Sequence, residues 1–289
     1  MMVVALVAGC TSAAEHGPGS RPTSRPTLKA PAHPTAATNA APQPKPRRKP
    51  PGPCTGPVTK MPGISISYSG GPVQHHVRIH LIFWGGAWES SGADLIAAQD
   101  RLFASLDASS WTAILQQYRD HHGAAAQDVR LVGTWIDRSA PPSVLAGDLL
   151  GAEVIRAAAA NRWSLGPDDQ FILYPEANID AMNGQCAYHL VGAQPSTRSV
   201  VLFAYAVVGC LGVPLGGLDP VGATSVLAAH ESAEIMVDPT FESWGASGDA
   251  LESEVADLCQ KLPAYHVKAG WLPLLFDRST DTCRAGRGG

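Results

Sequence analysis

The chain has 289 residues, 45% of them apolar and 16% charged, with a formal net charge of −4. Residues 1–50 carry seven Lys or Arg and one acid, which leaves 14 basic against 24 acidic residues in the remainder, a net of −10. So acidic a body lacks the basic footprint of a nucleic-acid binder. It also contains no run of about 20 apolar residues that would span a membrane as a helix.

The front of the chain reads as an address and a tether. Met1 to Gly9 is apolar and uncharged, and Val7-Ala8-Gly9-Cys10 fits a bacterial lipobox in which Cys10 is lipidated after cleavage. The basic n-region and longer apolar core of a full signal peptide are missing, so residues 1–10 are expected to be the remnant of one. Whether lipobox or truncated secretory signal, the segment predicts export, with a membrane anchor at Cys10 in the first case. Residues 11–57 are rich in Pro, Ala, Thr and Ser and nearly devoid of large apolar side chains. Such a segment cannot bury enough surface to offset ordering entropy and is expected to be a disordered, partly polyproline spacer. Its basic knot, Lys45, Arg47, Arg48 and Lys49, is either a contact for anionic lipid or wall polymer or a plain solvated linker.

Residues 58–289 suit one α/β domain. Ile64 to Tyr68 alternates as a strand does. So does Val77 to Phe83, with His76, Arg78 and His80 on a wetter face. Ala93 to Leu106 has helical spacing, and Ser110 to Tyr118 reads as a second helix. Asp128 to Asp137 looks like a strand, Pro142 to Arg162 like a long helix, and Gln170 to Tyr174 and Ser199 to Val208 like apolar strands. The Gly- and Pro-rich stretch 209–222 then leads into the most informative segment of the chain.

That segment is His230-Glu231-Ser232-Ala233-Glu234, flanked by Thr224 to Ala229 and by Ile235-Met236-Val237. Read as a helix, Val226, Leu227, His230, Ala233, Glu234 and Val237 share one core-facing stripe. Burying an unpaired His and Glu there costs roughly 2 kcal/mol or more each, and a divalent metal offsets it, since His and Glu one turn apart reach one ion. Glu231 is placed to hold a water against that ion. The spacing is that of the zinc-protease helix H-E-x-x-H with the second His replaced by Glu. Pro239 ends the helix near Asp238. Downstream, Glu254 and Asp257 are three apart, and either completes the ligand set; Glu252 reads as a surface acid.

Other constellations are weaker. Six cysteines occur, and in an exported chain disulfides are their default use. The pairs nearest in sequence are Cys186 with Cys210 and Cys259 with Cys283, each loop contributing about 3 kcal/mol in the chain-entropy picture. With Cys10 lipidated, Cys54 is left over. Cys186 and His189 are spaced for a Cys–His nucleophile pair, but a disulfide is the better use of Cys186, and His189 remains as a remote metal ligand. His75, His76, His121 and His122 read as surface residues, and Trp84, Trp88 and Trp244 as core rather than as a sugar-binding cleft. No phosphate loop, dinucleotide fingerprint or C-x-x-C pair is present.

His230-Glu231, Ala233-Glu234, Asp238-Pro239, Trp244 and Glu254 to Cys259 together resemble the secreted EXORDIUM-like, or phosphate-induced, protein family in its bacterial and fungal branch. Members carry H-E-x-A-E-x-x-x-(D/N)-P, then a Trp, then E-(I/V)-x-D-x-C. Val77 to Gly85 is similar to the family's strand ending in I-F-W-G, Cys186-Ala187-Tyr188-His189 to its C-(A/G)-(Y/W)-H segment, and Phe276-Asp277 through Cys283 to its closing segment. The matches run in family order from about Ile64 to Cys283.

The expectation is an α/β (α+β), single mixed-sheet domain in a zincin-like arrangement with a late metal-binding helix. Functionally it is an exported cell-surface zinc metallohydrolase, peptidase-like, acting on peptide or cell-wall polymer. His230 and Glu234, with Glu254 or Asp257, hold the zinc, and Glu231 is the general base. The alternative is a non-catalytic wall-binding module whose acidic cluster is structural or holds calcium through oxygen ligands.

Overall fold

The computed structural model describes residues 57–61, 63–176, 184–193, 200–207, 217–246 and 253–286. The expected leader, the spacer up to residue 56, Cys10, Cys54, Cys210 and Glu252 lie outside the described residues.

Two short strands open the domain, β1 (Val58–Lys60) and β2 (Ile66–Tyr68), before the long β3 (His76–Trp84). Then follow α1 (Ala87–Ser91), α2 (Ala93–Ala104), α3 (Thr112–Leu115), β4 (Asp128–Asp137), α4 (Gly147–Asn161), β5 (Asp169–Pro175), β6 (Ala187–Ala193) and β7 (Val200–Ala206). After these come α5 (Pro220–Val237), β8 (Trp244–Ala246), a 3-10 turn at Asp257–Cys259, β9 (Tyr265–Val267), β10 (Gly270–Leu272), β11 (Leu275–Asp277) and β12 (Thr282–Arg284).

The result is the mixed-sheet α/β domain expected. The main sheet has five strands in the order β4-β3-β5-β7-β6. The first four run parallel, and β6, at one edge, pairs antiparallel with β7. Strand alternation sorts the side chains into two apolar layers. Ile79, Leu81, Phe83, Ile172, Tyr174, Leu202, Ala204 and Ala206 face the layer that contains α5. Ile82, Trp84, Phe171, Leu173, Val201 and Phe203 face α4, through Leu150, Val154 and Ala157. By the same parity His189 of β6, paired with Ala204, lies on the α5 side. Smaller sheets, β1-β12-β11, β2-β8 and β9-β10, close the rest.

Several expectations need correction. The helix read from Pro142 begins only at Gly147, with Ala146 extended; Pro141 and Pro142 bias the chain away from helix before it. The helix at Ser110 to Tyr118 shrinks to four residues. α5 starts inside the stretch taken as a loop, where Asp219 caps it by accepting from the Gly222 N–H at 2.7 Å and Pro220 occupies the first turn. β6 was not foreseen. His80, placed on a wetter face, is 1% exposed. Trp84, Trp88 and Trp244 are buried, as expected of core residues.

His80 stays inside because Asp169 serves it. Arg78 donates through Nε and Nη2 to the two Asp169 oxygens, each at 2.8 Å. His80 Nε2 lies 3.0 Å from Oδ1, and the Gly166 N–H donates to Oδ2 at 2.8 Å. Burial alone raises the Asp169 pKa, but the bonds from Arg78 and His80 overturn that and hold the carboxyl well below the usual carboxylate range. Its folded pKa lies below the unfolded value of about 3.9, so this stabilisation is full above about pH 5 and is lost as pH falls further. Arg78 is 35% exposed, which tempers the magnitude. Asp169→Asn is expected to cost about 2–3 kcal/mol at pH 7. The gap from wild type should narrow progressively as pH is lowered below about 5 in urea unfolding, and a gap independent of pH would refute the ion-pair account.

Candidate metal centre

α5 is buried almost all round; only a few positions, Leu227 and His230 among them, are partly open. The expected one-sided stripe is therefore corrected: Glu231, placed off the stripe, is 6% exposed, and His230, placed on it, keeps a side chain 13% exposed. Small side chains bring this helix close to the sheet. Ala228, Ala229 and Ala233 of α5 share one apolar cluster with Ala204, Ala206 and Ala187. Buried amides fix its register. Gln170 accepts from Ser232 Oγ at 2.8 Å and donates to the Ser232 carbonyl at 3.2 Å, and Gln99 donates to Ser225 Oγ at 2.9 Å.

Against α5 lies the segment after β8. Ala246 N–H donates to the Ser253 carbonyl at 2.8 Å and Phe276 N–H to that of Val255 at 2.9 Å. Cys259 is disulfide-bonded to Cys283, the pairing expected from sequence proximity. Cys186 is disulfide-bonded as well. Glu254 and Asp257 are thus fixed by backbone pairing and a crosslink.

The five residues singled out from sequence converge, and His189 joins them. His230 Nε2 lies 3.0 Å from Glu234 Oε1 and 3.2 Å from Asp257 Oδ1. His189 Nδ1 lies 3.3 Å from Glu231 Oε2 and 3.4 Å from Glu234 Oε2. On its other side, His189 Nε2 is 3.5 Å from Glu254 Oε1. Those last two atoms are buried, and neither has a hydrogen-bond partner among the described residues. One donor atom each from His189, Glu234 and Glu254 lies within 4.8 Å of the other two, and the same holds for His230, Glu231 and Glu234. Glu234 belongs to both groups. These buried His and Glu side chains are able to hold a metal ion.

Electrostatics follows from crowding four carboxylates around two imidazoles. Burial alone raises Glu234, but the two histidines hold it down at about 2. Burial and the charge of Glu234 push Glu254 up to about 9. Glu231 and Asp257 are raised by burial, against the opposing bonds from His189 and His230 respectively. Both imidazoles would be lowered by burial but are driven well above their ordinary value by the carboxylates. Without a metal, the imidazolium rings serve as the internal cations.

The choice between Glu254 and Asp257 thus has a different answer: both reach the cluster, from opposite ends. The segment is a 3-10 turn, not the helix that would set both acids on one face. His189 was the ligand given least weight. Its signals were its spacing from Cys186 and the likeness of Cys186-Ala187-Tyr188-His189 to a C-(A/G)-(Y/W)-H segment, not the strand that carries it. Phe241 carried none. Its ring stacks on His189 with centroids 4.5 Å apart and planes 13° from parallel, and it is 46% exposed. Its φ of +59° is strained for an aromatic residue, so the packing against His189 holds it there as the outer wall of the site.

Glu254 has a folded pKa above its unfolded value of about 4.3, so its contribution to the metal-free protein is lost as pH rises toward 9. Glu254→Gln is therefore expected to stabilise chelator-treated protein at pH 7 by on the order of 2 kcal/mol. The gain should grow between about pH 5 and 9. Urea unfolding of the two proteins checks it, and destabilisation by the variant would contradict the picture of a crowded carboxylate. Comparison of the chain with family models, with curated proteins and with solved structures gives no match.

Proposed function

We propose that the protein is an exported zinc-dependent hydrolase of the peptidase kind, related to the EXORDIUM-like proteins and built on a zincin-like plan. The observation that carries this reading is the buried convergence of two imidazoles and four carboxylates, with His189 Nε2 and Glu254 Oε1 left unpaired 3.5 Å apart. Buried polar atoms without partners cost free energy, and a cation between them supplies what both lack. A mixed sheet followed by a late helix bearing the donors supports the zincin-like comparison, which remains an analogy of layout.

The donor chemistry favours zinc over calcium. Calcium takes oxygen ligands, whereas imidazole suits zinc and its transition-metal neighbours. His230 and Glu234 would hold the ion, with His189 and the Glu254–Asp257 segment completing its surroundings. When bound, zinc lowers the pKa of a coordinated water toward about 7 and polarises a carbonyl. Glu231 would serve as the general base beside the ion. It is buried, it lies one residue from His230 on α5, and its pKa is raised above the ordinary carboxylate value by burial. Phe241 offers an apolar wall to a substrate side chain. Carboxylate ligands in place of histidine donate more charge to the metal, so turnover is expected to be slow. Export and anchoring rest on the Val7 to Cys10 pattern and the spacer, and peptide or the peptide portion of cell-wall polymer is the substrate class this setting supplies.

The test is metal analysis of the purified protein together with Glu231→Gln on a casein and peptide panel. Stoichiometric zinc is expected, with activity reduced a hundredfold or more in the variant and zinc retained. Calcium or no metal, with wild type and variant indistinguishable, would instead mean a wall-binding module.

A further inference from the structure

We infer that the cluster is a two-ion centre in which Glu234 bridges two divalent cations. This rests on the reading of the cluster as a metal centre and goes beyond it in stoichiometry and ligand assignment. The first position lies between His189 Nε2 and Glu254 Oε1, on the Oε2 side of Glu234. The second lies between His230 Nε2 and Asp257 Oδ1, on the Oε1 side of Glu234.

Three observations carry this. The first is geometric. Two donors each about 2.0–2.2 Å from a tetrahedral ion stand about 3.3–3.6 Å apart. His189 Nε2 and Glu254 Oε1 are separated by 3.5 Å with no hydrogen bond between them, whereas His230 Nε2 and Asp257 Oδ1 are hydrogen-bonded at 3.2 Å, a spacing an ion would need to widen only slightly. The two donor pairs share no residue, and one imidazole nitrogen cannot serve both. Glu234 turns Oε1 to His230 Nε2 at 3.0 Å and Oε2 to His189 Nδ1 at 3.4 Å, and one donor atom each from His189, Glu234 and Glu254 lies within 4.8 Å of the other two, so Glu234 is within reach of both pairs. A bridging carboxylate in a two-metal site, with ions about 3.5–4 Å apart, has this arrangement.

The second is the support behind His189. A metal-bound histidine commonly donates its other ring N–H to a carboxylate. With Nε2 turned to the first position, the Nδ1–H faces Glu231 Oε2 at 3.3 Å. His189 is 1% exposed and Glu254 8%, so solvent does not supply what their unpaired atoms lack. Glu231 supports His189 from outside both ligand pairs, although it also stands within 4.8 Å of the His230 and Glu234 donors.

The third is charge. Glu231, Glu234, Glu254 and Asp257 carry four negative charges when ionised, and the two imidazoles are neutral when they ligate. Two divalent cations balance that set. A single ion balances only two of the four, and the others then stay protonated or buried without a counter-charge.

The test uses the full chain, stripped with chelator and titrated with Zn2+ by calorimetry, with metal content read by elemental analysis. Two equivalents are expected. Glu254→Gln and Asp257→Asn should each retain one, and Glu234→Gln should bind neither. Loaded with Mn2+, the wild type should show the exchange-coupled paramagnetic resonance of a close ion pair. That readout needs no variant and stands even where one fails to fold. One equivalent in the wild type overturns the two-ion centre and leaves the zinc hydrolase intact; no metal overturns both. Two equivalents without Mn–Mn coupling, or either equivalent kept by a folded Glu234→Gln, puts an ion elsewhere and overturns the inference.

Discussion

The carboxylate of Glu234 is the group around which this interior is arranged. It is 2% exposed, and a carboxylate at that depth is tolerable only when its charge is met. Two imidazoles meet it, one from its own helix and one from the sheet edge, and the Asp257 N–H donates to Oε1 at 3.2 Å. Parts of the chain far apart in sequence are thereby tied to one side chain. The rest of the domain can be understood as the means of bringing them there and keeping them there.

The means are ordinary packing devices. A helix that must set its side chains against a strand needs small residues at the contact, and alanines occupy it on both sides. A helix buried nearly all round has no polar face to fix its rotation, so buried amides do that work. Gln170 hydrogen-bonds both the side chain and the carbonyl of Ser232, the residue between the two site glutamates and next to Glu231. The Glu254–Asp257 segment brings two acids toward Glu234 against mutual repulsion. The Cys259–Cys283 crosslink and the pairing of Val255 with Phe276 oppose that repulsion covalently and through the backbone. A disulfide of this loop length contributes about 3 kcal/mol, comparable to one badly placed buried charge.

The chemistry-bearing helix was legible because its signals are local. Apolar flanks, two acids and a histidine at helical spacing, and Pro239 after the last turn specify its type and its end. β3, β4, β5 and β7 were legible for the same reason, as apolar runs bounded by turn residues. What the sequence concealed depends on partners distant in the chain. His189 matters only because β6 folds back antiparallel beside β7 and sets it opposite Ala204, and no period within residues 187–193 announces that pairing. The total burial of α5 was hidden as well, since its alanines and serines fit a half-exposed helix equally well. Phe241 holds a backbone conformation that its own residue type disfavours, so local propensity pointed away from it.

The same sheet buries a second carboxylate, and the contrast separates scaffold from site. Asp169 is 0% exposed, as deep as Glu234. Its two oxygens take bonds from Arg78, His80 and Gly166. A guanidinium supplies a fixed positive charge in bidentate geometry, so that cluster is closed and holds only itself. Its one loose end among the described residues is the His80 Nδ1 atom. Around Glu234 no arginine appears among the bonds described. The cations there are imidazoles, which surrender their protons to become ligands, and two unpaired atoms face each other across a gap of ligand-to-ligand width. A fold able to neutralise a buried acid permanently with arginine, as it does beneath α4, uses at the α5 face a set of groups whose positive charge is removable. Such a set is suited to hosting a metal ion in place of those protons.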